Sequence, residues 1–352
     1  MQRAVILGLM ALAACSDALE QTSTAGQVIA VVNSADNTVS FVGATHFSVK
    51  TVDMETPGGA GTSAAGHGST LLVPLGPGDA VAVINNAGIC TTGTCVQPVT
   101  VIPLAPGSGA TGVEIFDDSI AWVANPSLNT VTRVNYLLGD TVSFPVGPSP
   151  GAVVIADSSL FVVNANMAGS QPAGPSSITF RPAQVGMFPS SAFGTIALSL
   201  SCLSARHAAL GDDGLIYVTC GGHPGAGDGR LSIVDPVART ELAVLNGLGE
   251  SPGSAAFHPS GRLLIASDTS GILEVNTLTR SITRGPGQGV KLDGAGVAAL
   301  AVDERGRVYA LVPGNCMAPG VLYVLAAPPS YNVLRQVPVG VCPSAAATVR
   351  VF

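Results

Sequence analysis

Ile29-Ala-Val-Val-Asn33-Ser-Ala-Asp-Asn37-Thr-Val-Ser-Phe-Val42 is the stretch on which the reading of this chain turns. A β-branched run ends in Asn, a short polar corner follows, and a second β-branched run leaves it. Short apolar bursts bounded by Asn, Asp, Gly and Pro are the mark of strands joined by tight turns. The same passage returns along the chain. Asp117-Asp-Ser119 precedes Ile120-Ala-Trp-Val-Ala-Asn125, and Asp157-Ser-Ser159 precedes Leu160-Phe-Val-Val-Asn164. Asp212-Asp-Gly214 precedes Leu215-Ile-Tyr-Val-Thr-Cys220. His258-Pro-Ser-Gly261, Asp303-Glu-Arg-Gly306 and the shorter His67-Gly-Ser69 precede three more such runs. The corners start at 67, 117, 157, 212, 258 and 303, a spacing of 40 to 55 residues. That length suits four short strands per unit, the size of one propeller blade.

Six corners give six innermost strands, yet Val28–Val42 has none before it. The missing strand is expected at the other end, where Cys342-Pro-Ser-Ala-Ala-Ala-Thr-Val-Arg-Val-Phe352 has the right make-up and nothing after it. The expectation is therefore an all-β fold: a seven-bladed β-propeller of four-stranded blades over residues 27–352, closed by the C-terminal strand joining the N-terminal blade. Closure also removes the exposed sheet edges that invite aggregation. Separate stacked sandwiches would need a linker, and none is visible.

The blades resemble the seven-bladed propellers of the YVTN type, found in prokaryotic surface-layer and exported proteins. The resemblance rests on Val32-Asn33 with Asn37-Thr-Val-Ser40, on Ala124-Asn125 with Asn129-Thr-Val131, and on Val146-Gly147-Pro-Ser-Pro150. Ile216-Tyr-Val-Thr-Cys220 also fits, with Cys in place of Asn. It specifies a fold more than an activity. Relatives of this architecture include lactonases and quinone-linked or copper enzymes. Five histidines are few for a copper cluster. There is no CxxCH for haem and no helix to carry a nucleophile elbow. No cofactor and no metal are therefore expected.

The net charge is −7 with only two lysines, Lys50 and Lys291, so no basic patch points to nucleic acid. Residues 1–14 have a basic start and a short apolar run, which reads as a secretion signal rather than a membrane span. Leu12-Ala13-Ala14-Cys15 resembles the bacterial lipoprotein cleavage motif. The resemblance implies cleavage before Cys15 and lipidation of its thiol, where several acyl chains anchor stably and one alone is marginal. Asp17 lies one place past the position of the enteric inner-membrane retention signal, which implies the outer membrane. Residues 15–26 then form a lipidated flexible tether.

Without Cys15, six cysteines remain, an even number that suits disulfides in an exported chain. The blade topology pairs Cys202 with Cys220 and Cys316 with Cys342, both on the rim where innermost strands begin. Cys90–Cys95 would staple a short loop on the opposite rim.

His67 and His258 occupy equivalent corners and read as turn residues. His207 opens an innermost strand where other blades carry Gly112, Ala152, Gly253 and Ala298, so a large polar side chain there can reach the channel mouth. Arg206 beside it can hold an anion. His223 lies in a long loop on the same rim, and Glu114 is the one carboxylate on that layer. Asn33, Asn125 and their counterparts, Asp268 among them, belong to turns that collect on this rim, where a peptide or glycan can be recognised. The bland alternative is a His207 merely buried between blades. The expected function is non-catalytic binding or scaffolding of a protein, peptide or glycan at the cell envelope. A lactonase-like hydrolase at the channel mouth is the alternative.

Overall fold

The computed structural model describes residues 26–54, 59–85, 99–187 and 189–351. The secretion signal, Cys15, the tether and the Cys90–Cys95 pair lie outside these residues. Among the described residues the chain forms seven four-stranded antiparallel sheets and one small two-stranded hairpin. The innermost strands of blades two to seven are Ala65–His67, Val113–Ile115, Pro150–Ala156, Ala205–Leu210, Ala255–His258 and Ala299–Val302. Blade one takes its innermost strand, Pro343–Val351, from the far end of the chain, and Gly26–Asn33, Thr38–Gly43 and Val49–Asp53 complete it. Val28 pairs with Val349, Ala30 with Ala347 and Val32 with Ala345.

Alternating strand side chains point to opposite faces of each sheet, and both faces of every blade are covered. Seven separate apolar clusters result among the described residues, one between each pair of neighbouring blades. An open row of seven blades would have six such interfaces, so the seventh, between blades seven and one, records closure. There Ile29 and Val31 pack with Tyr309 and Leu311, while Val28 and Ala30 face Leu71 and Val73 of blade two.

Both described disulfides form as expected, Cys202–Cys220 and Cys316–Cys342. The second joins the loop after the second strand of blade seven to the start of the closing strand. A covalent loop of this size restricts the unfolded chain by roughly 3 kcal/mol.

The repeated Asn has a structural task. Asn33 is fully buried, and its Nδ2 donates to Thr38 Oγ1 and Ser40 Oγ, both at 3.0 Å. Asn125 does the same with Thr130 and Thr132, and Asn164 with Ser177 and Thr179. The carboxamide thus ties the second strand to the third from inside the blade. Gly147, in the link entering blade four, and Gly340, near the end of the outer strand of blade seven, pass over Asn164 and Asn33. A Cβ there would meet the carboxamides at 2.7 and 2.5 Å, which is why this part of the repeat carries Gly. His258 is likewise structural. It is buried, with Nε2 2.9 Å from the Gly306 carbonyl oxygen of blade seven and Nδ1 accepting from the Ser260 main chain. A carbonyl accepts only, so Nε2 carries the proton.

Candidate functional site

The seven innermost strands enclose a central cavity of about 700 Å³. Its wall is built mainly from small side chains, among them Ala64, Gly112, Ala152, Ala255, Ala299 and Ala345. Crowding explains that choice. At the rim where these strands begin, a Cβ on Gly151 would lie 3.0 Å from the Arg206 Cα, so adjacent backbones nearly touch. Three ionisable side chains interrupt this wall: Glu114, Arg206 and His207.

A backbone irregularity sets Arg206 apart. Blade five pairs Ala205 with Cys220 and His207 with Thr219, leaving Arg206 as the extra residue of a β-bulge. Gly151 and Ser344 are the extra residues of blades four and one. In blades three, six and seven the pairs Thr111–Gly112, Gly253–Ser254 and Ala298–Ala299 each face a single residue of the second strand. The register corrects the sequence alignment by one place. Gly253 and Ala298 are counterparts of Arg206, whereas His207 corresponds to Gly112, Ala152, Ser254, Ala299 and Ala345. Bulges re-aim side chains, and here one delivers a guanidinium to a position that is small elsewhere.

The electrostatics follow from enclosure. His207 faces the channel, ringed by the surrounding blades yet open to the channel space. Burial, assisted by the Arg206 charge, lowers its pKa to about 4, so the imidazole is neutral near pH 7. Glu114 is paired across the strand with Trp122, on the face that packs toward blade four. Burial raises its carboxyl to about 7. Neither the Glu114 carboxyl nor the Arg206 guanidinium has a hydrogen-bond or ion-pair partner among the described residues.

A second cavity of about 390 Å³ opens beside the first on the same rim and shares Arg206 and His207 with it. Asp268, which follows the second strand of blade six, lines this cavity too. Burial raises its carboxyl above the ordinary range. Sequence reading treats Asp268 as a turn residue. The available signal is its charge, since Ser34, Pro126, Ala165 and Gly221 follow the equivalent strands.

The other expected site residues lie elsewhere. His223 is on this rim but outside both cavity walls, its Nδ1 3.0 Å from Asp228 Oδ2. Burial pushes the Asp228 carboxyl up, but hydrogen bonds from the ring and main chain of His223 outweigh it and hold the group below its usual range. Asn33 and Asn125 face into their blades, as described. No three His, Cys, Asp or Glu side chains among the described residues converge as a metal site.

The Glu114 carboxyl gives a pH-dependent expectation. Its folded pKa, about 7, lies above the ordinary 4.5. The native state therefore holds a proton that the unfolded chain has released, and stability falls as pH rises between those two values. Allowing for water in the channel, the loss is on the order of 2 kcal/mol. Denaturant unfolding of wild type at about pH 5 and about pH 8 is expected to show this slope, and Glu114→Gln to abolish it. Trp122 is the single tryptophan, so its fluorescence should report the same titration. A wild-type profile identical to that of Glu114→Gln would contradict the assignment.

No protein-family model and no curated protein matches this sequence. Solved structures do match its fold. A functionally unknown protein from Desulfotomaculum acetoxidans DSM 771 superposes with a TM-score of 0.66 at 13% identity, covering 92% of this chain and 99% of that one. Hydrazine synthase of Kuenenia stuttgartiensis gives 0.63 at 14% identity over 86% and 91% of the two chains. Apo AztD from Citrobacter koseri gives 0.58 at 13% identity over 93% and 98%. At such identities the likeness establishes the propeller architecture alone.

Proposed function

We propose that this protein is an exported lipoprotein of the YVTN type, anchored in the outer membrane through Cys15. Its propeller is a non-catalytic binding module for an envelope protein, peptide or glycan. The observation that supports this most is Arg206, a permanent cation aimed by a bulge into a channel mouth of small residues and left without an internal anion. Structural arginines in this molecule have an internal partner, as Arg307 has Asp303, whereas Arg206 is exposed to the channel mouth and has none. At Arg206 the ligand supplies the anion, and neutral His207 beside it offers one donor and one acceptor. Capture from a native envelope extract tests the reading. Arg206→Ala with His207→Ala is expected to weaken retention of the partner by at least about tenfold, the size of one lost charge-assisted hydrogen bond. Unchanged retention would count against it.

A second reading, lactone hydrolysis, is favoured by one observation: Glu114, with its raised pKa, and His207 line the same cavity. Turnover on a lactone panel that disappears in Glu114→Gln would establish it in place of simple binding.

A further inference from the structure

We propose that the rim cavity shared by blades five and six takes a small zwitterion, a molecule carrying both a carboxylate and an ammonium group, held between Arg206 and Asp268. The inference rests on the reading of Arg206 as an anion holder and adds the ligand's second charge. Both side chains line one cavity of about 390 Å³. That lies within the range of roughly 300–1,000 Å³ typical of small-molecule sites.

The two charges do not serve each other. They form no ion pair with each other, and both side chains are exposed to the cavity they line. Burial lifts the Asp268 carboxyl, and no cation stands close enough to offset it. A cavity lined by both an unpaired guanidinium and an unpaired carboxylate fits a molecule that carries both opposite charges.

The repeat provides an independent argument. Seven blades built to one plan show what each position needs for folding alone. At the Arg206 position the siblings are Thr111, Gly151, Gly253, Ala298 and Ser344; at the Asp268 position they are Ser34, Pro126, Ala165 and Gly221. None is charged, so the scaffold requires neither charge. Residues that break a local rule without a structural gain mark functional positions. These two departures, of opposite sign, meet at one cavity. The remaining wall supplies neutral groups, including Ser204, Ser251, the neutral His207 and the backbone of Gly221, Gly222 and Gly253.

Calorimetric titration of the purified protein tests the proposal. The probes are α-amino acids and the series glycine, β-alanine and γ-aminobutyrate, whose charge separation grows stepwise. Propionate and propylamine are the single-charge controls. At least one zwitterion is expected to bind saturably, with both controls weaker by about tenfold or more. Asp268→Asn and Arg206→Ser are each expected to cost about the same factor. Ser stands at the sibling position 344, and an unchanged thermal midpoint confirms that either variant is folded. If propionate binds as well as the best zwitterion and Asp268→Asn has no effect, this inference fails while Arg206 remains an anion holder. If no zwitterion binds, the inference fails, and envelope capture by Arg206→Ala then decides the broader reading separately.

Discussion

A chain ending at Cys342 is expected to lose its cooperative unfolding transition altogether. Removing Pro343–Val351 takes the innermost strand from blade one and leaves one edge of Gly26–Asn33 unpaired along its whole length, the other edge staying on Thr38–Gly43. It also strips Ala345, Ala347 and Val349 from the core facing blade two, and Ala346 from the core facing blade seven. Two of seven interfaces open at once. A loss of this extent is comparable with the whole stability of a folded protein, about 5–15 kcal/mol. Circular dichroism during denaturant titration should show a broad, non-cooperative change. A synthetic peptide of residues 343–352, added in trans, should restore part of the transition. A truncated chain unfolding as sharply as wild type, at a similar midpoint, would show that the ring does not depend on its terminal strand.

The second large effect belongs to Trp122→Ala, which should destabilise by about 3–5 kcal/mol. Trp122 is fully buried between blades three and four and is the largest side chain in that core. Its Nε1 donates to the Ala183 carbonyl oxygen at 3.1 Å, and Phe144 and Arg181 lie against its ring. Truncation leaves a cavity, an unpaired carbonyl and a displaced guanidinium together. The shift in denaturant midpoint measures the cost, and the conservative Trp122→Phe should recover more than half of it. A midpoint shift below about 1 kcal/mol would mean that the two blades can collapse onto the space.

The wheel was legible in the sequence because its signals are local and repeated. Polar corners, β-branched runs and Gly-Pro links each have one physical reading, and their recurrence set the blade count. The opening Val28–Val42, lacking a corner before it, pointed to the C-terminal strand, and strand polarity placed the two described disulfides. The site was legible only in part. His207 stood out as a large residue where siblings are small, Arg206 as the cation beside it and Glu114 as the one carboxylate on that layer. The offset between the Arg206 and His207 positions was not readable, because a bulge adds a residue without any change in composition. Asn33 and Asn125 looked like rim groups, since nothing in the sequence tells a solvent-facing carboxamide from one turned onto neighbouring hydroxyls. Asp268 passed as an ordinary turn former. The meaning of its charge comes from the cavity it borders and from the cation that lines the same cavity.

The direction of the closing strand has a consequence for how the molecule would stand on a lipid surface. Pro343 begins that strand on the rim carrying Arg206, and Val351, its last residue, pairs with Gly26 on the far rim. If Cys15 is acylated as proposed, the chain coming from it reaches the propeller at Gly26, on the rim opposite Arg206. The ligand mouth would then look away from the bilayer like an upturned cup, open to whatever diffuses past and unobstructed by its own mooring.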